Sequence, residues 1–437
     1  MGVNLSFEFV KSTWELKYIC NNMFTVARDT KSPHLHVRSM SGWRPTEPGR
    51  TAPETIGRYR LCFQLASGGM ASVYLARTEG SPGFQKLVAL KRIHPHLASE
   101  KEYVDMFLDE ARIASSITHP NVCSVFDFGE ADGEYFIAME YLRGEPLSRV
   151  QRRVVVNLDQ RTAPELPARM ATIIAQACEG LHAAHELKDA RGESLDVVHR
   201  DVSAENLFVT YDGTAQVVDF GLARARRRLH QTEAGQVKGT FPYMAPEQMT
   251  AAAVDRRVDI WALGVVLWEL LTLRRLFLQD SDVNTMYAVL SSEIQPPSAF
   301  RAEIPAELDE IVLRALRRNP AERWQSAREM GRALRRMLSR QDTPIGPAEV
   351  AEWMAELFPE GESRKRRLME IAETGEGLVD ETQPRDPTVS SGRHRLVIPT
   401  TKGRKAAPQA PPLPASLLVM MIGVAVVLAV LAIDWFR

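Results

Sequence analysis

The sequence predicts an α+β fold over residues 58–338, with alternating strands gathered in its first part and helices in its second, followed by one C-terminal transmembrane helix. Three observations carry this. Residues 59–65 and 72–76 alternate in character around a turn of small residues, the pattern of a β-hairpin. Over residues 168–187, Met170, Ile173, Ile174, Ala177, Cys178, Leu181, Ala184 and His185 fall on one helical face. Residues 415–433, ASLLVMMIGVAVVLAVLAI, carry no charge, and at about 1.5 Å per residue they suit a hydrocarbon core of about 30 Å.

A chain of 437 residues with 45% apolar composition can bury a large core and is expected to form more than one unit. The formal net charge of -1 argues against nucleic acid as a partner. Cys20, Cys62, Cys123 and Cys178 are widely separated, as unpaired thiols of a reducing compartment are, and suggest neither a disulfide framework nor a zinc site. The apolar 415–433 segment keeps only Ser416 as a polar residue, where a buried core helix usually keeps a polar stripe. Arg393, Arg395, Lys402, Arg404 and Lys405 precede it, which by the positive-inside rule places the long N-terminal part in the cytoplasm. No signal peptide is expected, because Glu8, Lys11 and Glu15 break the first apolar stretch.

Residues 1–57 read as an N-terminal extension without a clean period, rich in Pro, Ser, Thr, Gly and Arg from Lys31 onwards. An over-extended start with the true one at Met40, and a docking segment, are both open readings. The hairpin follows, with Ala66-Ser67-Gly68-Gly69-Met70-Ala71 as its turn. Backbone N–H groups approach phosphate oxygens only where side chains are absent or small. Val88-Ala89-Leu90-Lys91 reads as a strand carrying a lysine. Phe107, Glu110, Ile113, Ala114 and Ile117 then recur at helical spacing, ending at His119-Pro120-Asn121. Residues 135–142 form another strand pattern, and residues 188–195 a polar loop suited to a surface hairpin.

The stretch 197–206, VVHRDVSAEN, and the sequence Val218-Asp219-Phe220-Gly221 carry the chemistry. Asn206 follows Asp201 by five positions, and Asp219 follows Asn206 by thirteen. Phosphoryl transfer needs an oriented hydroxyl and offset phosphate charge more than it needs covalent help from the protein. Asp201 suits the first task, while Asn206 and Asp219 are hard oxygen donors of the kind Mg2+ prefers.

At these residues the chain resembles the eukaryotic-like (Hanks-type) protein kinase family, of the bacterial membrane-tethered type. The resemblance covers about residues 59–338 and implies a two-lobed fold, a small β-rich lobe with one helix and a larger helical lobe, with ATP and Mg2+ between them. It assigns catalytic roles to Lys91, Glu110, Asp201, Asn206 and Asp219, with Asn206 and Asp219 holding the metal. It implies nucleotide contacts from Leu65, Ala66, Ser67, Gly68, Gly69, Met70, Ala71, Val73, Ala89, Lys91, Met139, Glu140 and Leu142, Met139 gating the pocket behind the adenine. Ala66 and Ala71 replace two of the family's loop glycines, and Ser203 stands where its serine/threonine members usually carry lysine.

Thr240, ahead of Tyr243-Met244-Ala245-Pro246-Glu247, matches the threonine of the family's serine/threonine members. Thr232 is the expected activating phosphosite, in a segment with Arg224, Arg226, Arg227, Arg228 and Lys238. The resemblance also has Asp259 hold the catalytic loop and Arg323 pair with Glu247. Residues 347–358 read as an amphipathic helix packed on the large lobe or bound to a partner, and residues 359–414 as a flexible tether. The resulting expectation is a membrane kinase, domain in the cytoplasm, that phosphorylates Ser/Thr of proteins including itself, with cytoplasmic regulators and a homodimer for trans-autophosphorylation. The competing readings are a membrane-anchored pseudokinase scaffold, favoured by Ala66, Ala71 and Ser203, and a kinase of small molecules or lipids.

Overall fold

A computed structural model describes residues 54–79, 85–220, 241–250 and 253–374. The small lobe is built on an antiparallel sheet of order β1-β2-β3-β4-β6-β5. Its strands are β1 (Thr55–Ile56), β2 (Tyr59–Ser67), β3 (Ala71–Thr78), β4 (Leu87–Ile93), β5 (Val125–Ala131) and β6 (Glu134–Glu140). Between β4 and β5 run the short α1 (Pro95–Ala98) and the longer α2 (Lys101–Ser115). Tyr103, Phe107 and Ala111 on one face of α2 bury against Ile93, Leu97 and Ile137, while Asp109 points outward to pair with Arg112.

Residues 188–195 do close a surface hairpin, through a bridge between Lys188 and Ser194, with Asp189 Oδ1 accepting from the Arg191 and Glu193 amides. The large lobe contains β7 (Gly144–Pro146), α3 (Leu147–Val156), α4 (Leu158–Thr162), α5 (Leu166–His185), β8 (Leu207–Thr210) and β9 (Ala215–Val217). The helices α6 (Pro246–Met249), α7 (Arg257–Thr272), α8 (Asp282–Ser291), α9 (Ala306–Ala315) and α10 (Ala327–Leu338) complete it. Helix α7 is buried nearly all round, packing on α5, α9 and α10. Its two acidic residues survive burial because each is fully engaged: Glu269 accepts from the Tyr243 hydroxyl, Arg275 and the Leu276 amide, and Asp259 from three groups of the catalytic region described below. Gly180 on α5 meets the His119-Pro120-Asn121 turn so closely that a Cβ there would lie 2.3 Å from the Asn121 carbonyl oxygen.

Two boundaries differ from the sequence reading. The N-terminal extension gives up Thr55 and Ile56, which pair with Arg60 and Tyr59, and Ile56 is buried. The helix expected over residues 347–358 forms as α11 (Pro347–Leu357), which ends the packed large lobe, and the tether expected from residue 359 gives way at its start to a further helix, α12 (Gly361–Thr374). In α11, Val350, Trp353, Met354 and Leu357 are all buried, and the Trp353 indole N–H donates to Gln160 Oε1 at 2.6 Å. Helix α12 was hidden by its opening Glu362, Arg364, Lys365, Arg366 and Arg367, which mask the apolar spacing of Leu368, Ile371 and Ala372. No helix among the described residues is long and apolar enough to cross a membrane, and residues 415–433 lie outside them.

One ion pair holds the large lobe from within. The Arg323 guanidinium donates to both Glu247 carboxylate oxygens at 2.7 Å and also to the carbonyls of Arg317, Arg318 and Arg257. Arg323 is fully buried, so every donor it lacked would be an unsatisfied polar group. Arg323→Met should cost about 3–5 kcal/mol, because it leaves a buried carboxylate uncompensated. Chemical unfolding of the Arg323→Met and Glu247→Gln single variants and their double variant checks this: the double should fall well short of the sum of the singles.

Candidate active site

Lys91 sits on β4 between Val73 of β3 and Ile137 of β6. Its ammonium donates to Glu110 Oε1 at 3.2 Å and to Asp219 Oδ1 at 2.8 Å. Burial alone would drive the lysine pKa down; the Asp219 and Glu110 carboxylates more than offset it and hold Lys91 above the ordinary lysine range. One buried cation therefore joins a strand and a helix of the small lobe to a segment of the large lobe. Met139, Cys123, Val125 and Phe220 line the cavity beside these three residues, and burial pushes the Cys123 thiol upward.

The hairpin turn stands at the mouth of this cleft. Pairing persists to Ser67 and Ser72, and the Gly68 amide donates to the Ala71 carbonyl at 2.9 Å. Ala66, Ser67, Gly68 and Gly69 are exposed, whereas Met70 is buried against Ile93, Leu97 and Phe107. Met70 therefore anchors the tip and leaves a row of small residues free to approach a ligand. Leu65, Val73, Ala89 and Glu140 lie on β2, β3, β4 and β6, and Leu142 on the connection that follows β6.

Asp201 is buried in the loop preceding β8. The Asn206 amide nitrogen donates to the Asp201 carbonyl at 2.8 Å and to its Oδ2 at 3.1 Å. The Val218 amide donates to the Asn206 carbonyl at 3.0 Å, which brings Asn206 beside the residue preceding Asp219. With its amide nitrogen committed to Asp201, Asn206 offers Oδ1 as a ligand atom. Together with the Asp219 carboxylate it forms a donor set of hard oxygens that fits Mg2+, which takes one or two protein ligands and completes its shell with water and phosphate.

The loop is fixed from beneath. Asp259 accepts from the His199 amide at 2.8 Å, the Arg200 amide at 2.7 Å and His185 Nε2 at 2.8 Å. Although burial acts to raise its pKa, the His185 and backbone contacts hold the Asp259 carboxyl below the usual aspartate range. Arg200 and Asp219 adopt positive φ, of 65° and 61°, conformations that non-glycine residues hold only under constraint. His199 Nε2 donates to the Val218 carbonyl at 3.0 Å while its Nδ1 accepts from the Asp201 amide at 3.3 Å, so one imidazole links both catalytic segments. The helical periodicity places His185 on the buried face of α5 but does not reveal its bond to Asp259. Its place on an otherwise apolar buried face was the available signal, since a buried imidazole needs a partner.

Thus the structure brings Lys91, Glu110 and Asp219 into contact, and Asp201 and Asn206 into contact beside them. Thr232 and Thr240 lie outside the described residues. A lysine locked to a helix glutamate, a buried aspartate beside an amide ligand, and a small-residue hairpin overhead define a protein kinase catalytic domain. Residues 59–333 match the family described as the protein kinase domain, and the chain belongs to that family in its Hanks-type branch.

Its relatives include the tyrosine-protein kinase MasK of Myxococcus xanthus (strain DK1622), 41% identical over 307 residues, covering 70% of this chain and 47% of that protein. The serine/threonine-protein kinase PknB of Mycolicibacterium smegmatis is 36% identical over 287 residues, 64% of this chain and 43% of PknB. The serine/threonine-protein kinase Pkn1 of Myxococcus xanthus is 33% identical over 377 residues, 83% of this chain and 49% of Pkn1. The chain spans about half the length of the curated relatives it matches.

Asp259→Asn tests the support of the catalytic loop. An amide cannot accept from both backbone N–H groups and His185, so stability should fall by about 2–3 kcal/mol. Urea unfolding gives the loss, and faster amide exchange at His199 and Arg200 than at distant core amides locates it.

Proposed function

We propose that this chain is a membrane-tethered protein kinase that transfers the γ-phosphoryl group of ATP, with Mg2+, to hydroxyl groups of proteins, itself included. The observation that carries the reading is the buried Lys91 ammonium shared by Glu110 and Asp219, with Asp201 and Asn206 joined by hydrogen bonds beside it. ATP with Mg2+ supplies the transferable phosphoryl group and offsets its charge. Glu110 fixes the Lys91 ammonium, which would hold the phosphates of the nucleotide, and Asn206 Oδ1 and the Asp219 carboxylate would hold the metal. Asp201 orients the acceptor hydroxyl and receives its proton, while the Asn206 amide fixes the angle of that carboxylate.

Serine and threonine are the favoured acceptors, on the match of Thr240 to the serine/threonine members and on the printed names of PknB and Pkn1. Tyrosine is the second reading, supported by the name of MasK and by Ser203 in place of the usual lysine. Thr232 is the activating phosphosite in this account, reached in trans within a transient homodimer, its phosphate drawn to Arg200. The 415–433 segment anchors the chain with the kinase domain in the cytoplasm, where protein regulators reach it.

The test is transfer of radiolabel from ATP by the full-length chain in vesicles, with acceptor residues identified. Label on Ser or Thr, prevented when EDTA is present during the reaction and reduced at least ~100-fold by Asp201→Ala, is the expected outcome. Lys91→Met should act in the same direction. Label on Tyr alone would replace the Ser/Thr assignment, and a chain that binds nucleotide yet labels no protein would establish the scaffold reading instead.

A further inference from the structure

Helix α12 crosses from the large lobe to the small one beside the nucleotide cleft. At its start, Gly361 packs so tightly on Tyr211 that a Cβ would lie 2.1 Å from the phenol oxygen. One turn on, the nearly buried Lys365 donates to the Gly144 carbonyl, lies 3.7 Å from Glu145 Oε1 and faces the Phe208 ring at 5.7 Å. Gly144 follows the connection between the lobes by two residues, so this end of the helix is fixed at the base of the hinge.

The other end is fixed beneath the small-lobe sheet. Ala372 is buried against Phe63 and Leu75, and Leu368 and Ile371 join it in a cluster with Leu65 and Tyr141. Strand register shows which face this is. Val73 is opposite Lys91 and Leu75 opposite Ala89, so their side chains share the face that presents Lys91 to the cleft. Arg77, two residues further along that face, donates to the Glu373 carbonyl at the helix C-terminus, where a cation complements the free carbonyls. A buried arginine on the inner face of β3 has its partner in α12.

We propose that α12 is a nucleotide-positioning wall: Leu368 and Ile371 close the hinge-side mouth of the adenine pocket against Leu65 and Tyr141, and the helix holds the small lobe over the large one. This rests on the ATP reading above. The wall reduces the freedom of the lobes before nucleotide arrives, which raises affinity through preorganisation and slows release. In sequence α12 is followed directly by residues 375–414 and the apolar 415–433 segment.

The experiment measures binding and release of a fluorescent ADP analogue with Mg2+ by the full-length chain, independently of phosphotransfer. Leu368→Glu/Ile371→Glu should weaken binding about tenfold, equivalent to ~1.4 kcal/mol, mostly through faster release. Arg366→Glu/Arg367→Glu, on the exposed side of the same helix, should bind as the parent does. If the double glutamate variant does not fold, Ile371→Ala serves in its place, with an expected loss of about threefold. Unchanged affinity and release in the folded variant, or tighter binding, would overturn the inference. A parent chain that binds no nucleotide would overturn the ATP reading on which it stands.

Discussion

Everything at the centre of this molecule depends on one buried ammonium with two carboxylates. Lys91 is almost inaccessible to water, and a lone cation there would be driven to lose its proton. Glu110 and Asp219 keep it charged, but they come from α2 and from the segment after β9. The charge is therefore stable only when three separate pieces of chain are in register. That dependence gives the small lobe a defined position over the large one.

Two further fixtures make the arrangement stiff. Asp259, at the buried start of α7, gathers His199, Arg200 and His185, and His199 in turn reaches Val218 and Asp201. The positive φ angles of Arg200 and Asp219 persist because their surroundings over-determine them. Along the inner face of β3, α12 connects the base of the hinge to the underside of the sheet. The catalytic segments are thus held from the buried side of the large lobe, and α12 ties the two lobes together, the kind of fixed geometry that phosphoryl transfer demands of a protein.

Much of this was legible in the sequence because the chemistry and the local pattern coincide. Lys91 in its strand, Glu110 at helical spacing ahead of His119-Pro120-Asn121, and the VVHRDVSAEN stretch each sit in the element their pattern implies. The buried face of α11 was readable from its amphipathic spacing, whereas the Arg323–Glu247 pair came only from the resemblance to the kinase family. What escaped depends on contacts distant in sequence. His185 looks like any histidine on a buried helix until Asp259 is seen 2.8 Å away. Helix α12 carries too many charges in its first turns to advertise itself, and its reason for folding lies in Phe63, Leu75 and Arg77, far earlier in the chain. Thr55 and Ile56 similarly owe their strand to β2.

The central claim is that Lys91 acts through its joint hold by Glu110 and Asp219, and a double-mutant cycle between Lys91→Met and Glu110→Gln measures it. Applied to kcat/KM for MgATP in the full-length chain, the cycle should show strong non-additivity. Once Lys91 is gone, removing the Glu110 charge should cost almost nothing further, a coupling of roughly 1 kcal/mol or more. Losses that simply add would mean that the two residues act independently and would contradict the account.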